Sequence, residues 1–350
     1  MEKLNMKGTN RLETANKPMR HLMAIVYFII VVLIFIPACG ENTPTNQDED
    51  ETTNSDPEPQ ASSSWIVRAP LPTPRQEVPH AVLNGKIYVP GGLIFPGIGS
   101  NIVEVFDPPT DSWSSAPSLV IPVHHTGLTN HKGVLYLMGG YGGSDFFPTD
   151  GIYVLDSQSS TWSSVGIMPS KRGAHVIESY GDKIYIFGGV TPQGITNGAM
   201  SYDPVTKEWK TLSPMPTPRE HLSSTVLDSL IYVVGGRDFR GPGNLPSLEA
   251  YSPETDIWYI LESMPTARGG LAAAAMNGKL YAFGGESPGV FSESEEYDPK
   301  TNSWTQVEDM WSPRHGMGAV TVGDTIFIIG GAKLEGLGVS GANEGFTSTD

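Results

Sequence analysis

Short apolar runs that each end in a glycine doublet recur along most of the chain. The runs are KIYVPGG, VLYLMGG, KIYIFGG, LIYVVGG, KLYAFGG and TIFIIGG, whose first glycines are Gly91, Gly139, Gly188, Gly235, Gly284 and Gly330. Their β-branched and aromatic residues predict buried strands. The doublets are 46 to 49 residues apart, which predicts an internal repeat with one copy per doublet.

Two further markers keep register with the doublets. An arginine stands sixteen residues before each first glycine, except in the second copy, where Val123 replaces it. Ten residues earlier still stands a tryptophan, in the series Trp65, Trp113, Trp162, Trp209, Trp258 and Trp304. Segments such as FDPPTDSW are typical of turns, and Asn84-Gly85 and Asn277-Gly278 predict type I′ hairpin turns. Each copy therefore predicts four antiparallel strands.

The doublet, the aromatic residue and the tryptophan at this spacing resemble Kelch repeats over residues 65–350. The resemblance implies an all-β, six-bladed β-propeller with one blade per copy. The sixth doublet is followed by a third-strand sequence, Asn343–Phe346, but by no tryptophan strand. We therefore expect the orphan strand at 65–68 to complete the sixth blade and to close the ring without open edges.

Six loops of variable length follow the doublets, at 93–102, 141–151, 190–199, 237–249, 286–294 and 332–342. Strand alternation places them on the same face as the connections between blades, and the resemblance implies that this face binds the ligand. Binding residues usually lie on such loops. The candidates are Phe95, Tyr141, Asp145, Phe146, Phe147, Arg237, Asp238, Phe239, Arg240 and Glu286. The alternative is that the aromatic residues only cap their own blades.

The repeated arginines and nearby histidines form a second candidate set, at the mouth of the central channel. A ring of cations there could hold a carboxylate, whereas a structural role would tie loop carbonyls together. The candidates are Arg75, His124, His125, Arg172, Arg219, Arg268 and Arg314. Six histidines follow the arginine or valine position at differing offsets. These offsets predict different depths, so we expect no metal site and no cofactor.

The first 64 residues predict export rather than fold. Residues 22–36 are fifteen consecutive apolar residues, which are too few to span a bilayer and typical of a signal peptide. The following Ile36-Pro37-Ala38-Cys39 resembles the lipobox of bacterial lipoproteins, which implies a signal over 1–39 and a lipid on Cys39. An uncleaved anchor, an ordinary cleaved signal and a start at Met19 remain alternatives. Residues 40–64 contain seven carboxylates and no basic residue, which predicts a disordered tether.

Composition narrows the function classes. The net charge of −16 argues against nucleic acid as a partner. The single cysteine, Cys39, lies outside the repeats, which excludes the Cys–Tyr chemistry of copper enzymes that resemble galactose oxidase. No nucleophile elbow, zinc-protease motif or phosphate loop occurs in the sequence.

We therefore expect a monomeric, lipid-anchored binding module outside the cytoplasm, facing the periplasm or the cell exterior. Its ligand would be a protein or a carbohydrate. The alternative is a small-molecule enzyme similar to the sialic acid mutarotase. A convergent arginine with glutamate or histidine at the channel mouth would favour the enzyme. An open mouth rimmed by phenylalanines would favour the binding module.

Overall fold

Six antiparallel sheets follow one another along the chain as the blades of a β-propeller. The computed structural model describes residues 64–156, 161–241 and 243–348. Within those ranges the only helix is a single 3-10 turn, Pro108–Thr110. The predicted signal, Cys39 and nearly all of the tether lie outside the described residues. The all-β, six-bladed fold is confirmed.

The first three blades begin at the inner strand and proceed outward. Blade 1 contains Ala81–Leu83, Lys86–Pro90, Val103–Asp107 and Ser112–Ser115. Blade 2 contains Gly127–His131, Val134–Met138, Phe147–Asp156 and Ser163–Arg172. Blade 3 contains Val176–Tyr180, Lys183–Phe187, Ala199–Tyr202 and Trp209–Leu212.

The last three blades repeat this order. Blade 4 contains Ser223–Leu227, Leu230–Val234, Leu248–Ser252 and Ile257–Ile260. Blade 5 contains Ala272–Met276, Lys279–Phe283, Ser294–Asp298 and Ser303–Gln306. Blade 6 contains Gly318–Val322, Thr325–Ile329, Asn343–Phe346 and Trp65–Val67.

The first described strand closes the ring, as predicted. Trp65 pairs with Phe346 and Val67 pairs with Glu344 in antiparallel register. The Trp65 side chain is 3 % exposed and packs edge-on against Phe283 of blade 5, with ring centroids 5.5 Å apart. This tryptophan therefore fills the gap between neighbouring blades.

The glycine doublets join each blade to the next. The second glycine of every doublet donates its N–H to the carbonyl of the arginine or valine position in the following blade, and the bond from Gly331 to Arg75 at 2.8 Å completes the circle. At Gly91, where φ is +67°, a Cβ would lie 2.5 Å from the Val123 carbonyl oxygen. The doublets are therefore glycine because two backbones meet there. Six hydrophobic clusters fill the blade interfaces.

The predicted loops carry short ribbons of their own. Three of them are two-stranded, namely Leu93–Ile94 with Ile98–Gly99, Val190–Thr191 with Gly194–Ile195, and Arg237–Asp238 with Gly243–Asn244. In blade 2, Tyr141–Gly142 pairs with both Val123–His124 and the start of the third strand. The six inner strands surround a central channel with a volume of about 500 Å³.

Candidate functional site

Five arginines form a buried layer inside the blades and do not lie at the channel mouth. This arginine layer consists of Arg75, Arg172, Arg219, Arg268 and Arg314, which are at most 3 % exposed. In blade 5, Nη1 of Arg268 donates to the carbonyls of Gly284 and Glu293 at 2.9 and 2.6 Å. The interpretation of these arginines as a cationic ring at the mouth is therefore wrong. They fix carbonyls at or just before the glycine doublets of five blades, which is the structural alternative.

Four of these arginines also pair with a buried glutamate that was not among the sequence-based candidates. The pairs are Arg75–Glu104, Arg219–Glu249, Arg268–Glu295 and Arg314–Glu344. In blade 3 the glutamate position holds Met200, and burial lowers the pKa of Arg172 to about 10. In blade 2, Val123 stands at the arginine position and Tyr153 at the glutamate position. The sequence did contain a signal for these glutamates. A glutamate recurs two residues before the third-strand aromatic residue in the segments VEVF, LEAY, SEEY and NEGF.

A ring of six equivalent residues borders one end of the channel, two positions after the arginine or valine of each repeat. We call it the mouth ring, and it consists of Glu77, His125, Ala174, His221, Gly270 and Gly316. Each ring N–H donates to the ring carbonyl of the preceding blade at 2.6 to 3.2 Å, and the bond from Glu77 to Gly316 closes the circle. All six residues have positive φ, between 50 and 67°. The repeat therefore imposes a left-handed conformation at this position.

Three side chains of the mouth ring come together. Nε2 of His125 lies 3.3 Å from Oε2 of Glu77, and the rings of His125 and His221 have centroids 4.8 Å apart. One potential ligand atom from each of the three lies within 4.8 Å of the other two. Across 64–156, 161–241 and 243–348, no other group of histidines and carboxylates converges in this way.

An ion-pair network continues from this triad through blades 4, 5 and 6. Oε2 of Glu220 contacts Nδ1 of His221, and Oε1 accepts a hydrogen bond from Nε of Arg237 at 2.7 Å. Nη1 of Arg237 donates to Glu286 at 2.6 Å. The other oxygen of Glu286 lies 3.2 Å from Nδ1 of His315. The loop candidates Arg237 and Glu286 thus join two residues, Glu220 and His315, that were not among the site candidates.

Burial and charge pairing set the protonation states of this cluster. Burial lowers the pKa of His124 to about 4 and holds the pKa of His125 well below its usual range. The pKa of His315 is also lowered by burial. Burial opposes ionisation of Glu220, but His221 and Arg237 outweigh it and lower the pKa of Glu220 to about 2. At neutral pH the neutral imidazoles of His124 and His125 therefore belong to the same cluster as the ionised carboxylate of Glu220.

Blade 2 contributes an aromatic wall beside the triad. Nδ1 of His124 lies 2.5 Å from Nδ1 of His125. The Phe146 ring packs edge-on against His124, with centroids 4.7 Å apart, and lies tilted against the Tyr141 ring at 5.7 Å. Burial raises the pKa of Tyr141. Tyr141 is buried in its own blade, as the alternative interpretation of the loop aromatics expected, whereas Phe146 packs on it and stays 45 % exposed.

Asp238 is half-buried, and the other five remaining loop candidates are exposed and form what we call the rim, namely Phe95, Asp145, Phe147, Phe239 and Arg240. The exposed fractions of Phe147, Phe95 and Phe239 are 74, 70 and 63 %. Phe239 lies below the Arg237 guanidinium, with the ring centroid 4.9 Å from Cζ of Arg237. Arg240 forms two hydrogen bonds with Asp238, each 3.0 Å long. Leu334 and Leu337, which were not candidates, extend this apolar surface on blade 6.

Two further histidines line the channel, and neither belongs to the group of converging ligand atoms. Burial lowers the pKa of His80 and of His175 to about 3. The expectation that differing offsets separate the histidines therefore holds for these two. It is wrong for His124, His125, His221 and His315, because offsets of one and two residues both lead to the mouth.

Similarity to known proteins covers most of the propeller. The family model described as the KLHDC2/KLHL20/DRC7 Kelch-repeats domain matches residues 78–260 and 124–331. The chain is 28 % identical over 238 residues to Kelch-like protein terF of Aspergillus terreus, which covers 63 % of this chain and 50 % of that protein. It is 29 % identical over 180 residues to Kelch-like protein 35 of Mus musculus, covering 51 % and 30 %.

Beta-scruin of Limulus polyphemus is 30 % identical over 195 residues, which covers 53 % of this chain and 21 % of that protein. The chain thus spans at most half the length of these relatives. Among the described residues, no helix has the length and apolar character needed to cross a membrane.

Proposed function

The chain belongs to the Kelch-repeat family, and we propose that its propeller is a binding module that takes a protein ligand on the loop face. The observation that carries this proposal is the rim. Phe95, Phe147 and Phe239 are each more than 60 % exposed, on three different blades of one face. Aromatic and arginine side chains contribute most of the energy in protein interfaces. The short turns on the opposite face carry mainly polar turn residues.

A second candidate function is acid–base catalysis on a small molecule, of the mutarotase type. The observation that favours it is the convergence of Arg237, Glu220 and His221 at one end of the channel. A placed acid or base with cationic help is sufficient for such chemistry. However, Nε and Nη1 of Arg237 are both bonded to carboxylates, so much of its charge is already neutralised. The open rim therefore favours the binding module.

The ligand screen that tests the main proposal uses the purified full-length protein as bait against extracellular proteins, a glycan array and a metabolite set that includes free sugars. We expect a protein ligand whose affinity falls at least tenfold in Phe147→Ala, with the melting temperature within about 2 °C of wild type because Phe147 is a surface residue. The matched control is Val205→Ala, an 85 % exposed residue in a turn of the opposite face. Undiminished binding by Phe147→Ala, or a ligand found only among glycans or metabolites, would contradict the proposal.

We also propose that the module is exported and held at a membrane by a lipid on Cys39, with residues 40–64 as a spacer. The support is the lipobox-like sequence before Cys39 and the acidic composition after it. Cys39→Ser should abolish incorporation of labelled fatty acid and leave the protein unprocessed or released. Persistent labelling of the variant would contradict the assignment of the lipid to Cys39.

A further inference from the structure

We propose that Glu77, His125 and His221 bind a divalent transition-metal ion of the Zn²⁺ type at the channel mouth. One ligand atom from each residue lies within 4.8 Å of the other two. Zn²⁺ binds histidine nitrogen and carboxylate oxygen at about 2.0–2.2 Å in a tetrahedron, which sets neighbouring ligand atoms about 3.3 Å apart. The observed separation of His125 Nε2 and Glu77 Oε2 is 3.3 Å. Two histidines and one glutamate form a set of three that leaves a fourth position open.

The residues behind the two histidines orient them as metal ligands. Nδ1 of His221 is engaged by Glu220, so Nε2 is the nitrogen available to an ion. Nδ1 of His125 lies 2.5 Å from Nδ1 of His124, so its Nε2 faces Glu77. Metal-ligating histidines almost always use their second nitrogen in this way, because the partner fixes both tautomer and ring orientation.

The backbone of the mouth ring supplies an independent argument. Glu77, His125 and His221 have φ values of 53, 50 and 50°, a left-handed conformation that is unfavourable for a residue with a side chain. Gly270 and Gly316 occupy equivalent positions in blades 5 and 6, where glycine meets the same requirement without that cost. Ala174 has the same conformation, with φ at 51°, so the repeat imposes the backbone cost, and three of the six positions nevertheless hold a donor side chain.

Space and charge at the mouth also fit a dication. A Cβ on Gly316 would lie 2.5 Å from Oε1 of Glu77, so the absence of a side chain leaves room for this carboxylate. Glu220 and Glu286 share the single guanidinium of Arg237, whereas the carboxyl group of Glu77 faces His125. Counted formally, this leaves an excess of negative charge at the mouth, which a bound divalent cation would offset.

The test measures metal binding by the full-length protein after treatment with a chelator. Zn²⁺ is titrated calorimetrically, and Co²⁺ is used to detect the visible absorption of a tetrahedral site. We expect one ion per chain at this site. His221→Gly and Glu77→Gly should each lower the Zn²⁺ affinity at least about 100-fold, since loss of even a partner of a ligand costs about 10–100-fold. Glu220→Gln, which removes such a partner, should cost about 10-fold or more.

The glycine variants separate binding from folding, because glycine is already present at two positions of the ring. Their melting temperatures in the absence of metal should be no lower than that of the matched control, Ala174→Gly. This control occupies the same ring without a donor atom and should bind Zn²⁺ as the wild type does. Glu77→Gln provides a second variant that keeps the side-chain shape. Failure of the wild type to bind either ion, or unchanged affinity in both His221→Gly and Glu77→Gln, would overturn the proposal.

Discussion

The arginine layer and the mouth ring lie only two residues apart in each repeat. The residue type is nearly constant from blade to blade in the arginine layer and variable in the mouth ring. Arginine recurs in five of six blades, is almost fully buried, and bonds to the same kind of carbonyl each time. The mouth ring repeats its backbone conformation and its hydrogen bonds in all six blades. Its side chains differ from blade to blade, as glutamate, histidine, alanine or glycine.

This difference separates residues that stabilise the fold from residues whose side chains the fold does not require. The buried arginine recurs in five blades, and four of those blades also supply a carboxylate partner, as Glu295 pairs with Arg268. A titratable side chain that appears in only some blades has no such repeated partner, and its presence demands another explanation. We therefore expect changes at repeated positions to reduce the stability of the propeller and changes at varied positions to preserve or raise it.

Removing the closing strand should have the largest effect, because that strand belongs to the repeated architecture. Deletion of 41–68 removes Trp65, whose Nε1 donates to the Glu308 carbonyl at 2.9 Å, and exposes an edge on blade 6. Burial of one tryptophan accounts for about 3–5 kcal/mol, so we expect a loss of several kcal/mol and aggregation. Urea-induced unfolding followed by circular dichroism measures the change.

The control is deletion of 41–63, which removes the acidic segment and leaves Ser64 to accept its hydrogen bond from the N–H of Thr347. Its free energy of unfolding should stay within about 0.5 kcal/mol of wild type. If both truncations unfold at the same urea concentration, Trp65–Val67 does not close the ring.

Breaking a pair in the arginine layer should have the next largest effect. Glu295→Met leaves the Arg268 guanidinium buried without its carboxylate, which is 2.6 Å away in the wild type. Loss of one partner of a buried pair costs about 3–5 kcal/mol. The double variant Arg268→Val/Glu295→Tyr copies blade 2 and removes both charges, so it should lose less stability than the sum of its single variants. Strict additivity in a double-mutant cycle would show that the two residues do not act as a unit.

The sequence predicted the fold because each repeated residue is tied to local geometry. The doublets are glycine because two backbones come close together there, as at Gly91. The Asn84-Gly85 turn has φ values of 53 and 75°, which match the predicted turn type. Six copies made each signal readable even where one copy deviated, as at Val123. The closing strand could be predicted because the sixth copy lacks a tryptophan strand, and Trp65–Val67 can supply one.

The site could be predicted only in part, because its residues are equivalent across blades and distant along the chain. Arg237 and Glu286 were found as loop residues, but sequence spacing could not show that they bond to each other. Glu220 was missed because its neighbours Arg219 and His221 carried the visible patterns. Offsets alone could not show that residues one and two positions after the arginine converge at the mouth, since that depends on the left-handed turn in each copy.

The smallest effect is expected at Glu178, a varied position in the channel wall. The residues at its equivalents are Ala81, Thr129, Thr225, Ala274 and Val320. Burial raises the pKa of Glu178 to about 7, although a hydrogen bond from Ser224 at 2.7 Å acts in the opposite direction. A raised pKa means that the folded state holds the proton more tightly than the unfolded state does. The stability that this group contributes is therefore present below pH 4.5 and is lost as pH rises through 7.

Glu178→Gln removes this titration, so its stability relative to wild type should depend on pH. The difference should be near zero at pH 4.5 and reach about 1–2 kcal/mol in favour of the variant at pH 8, reduced from the full linkage value because the side chain is only half-buried. His80 and His175 titrate at acid pH in both proteins, so their contributions cancel in the difference. Thr225→Gln places an amide at an equivalent position and should differ from wild type by the same amount at every pH. A wild type more stable than Glu178→Gln at pH 8 would mean that this varied residue supports the fold, against the contrast between repeated and varied positions.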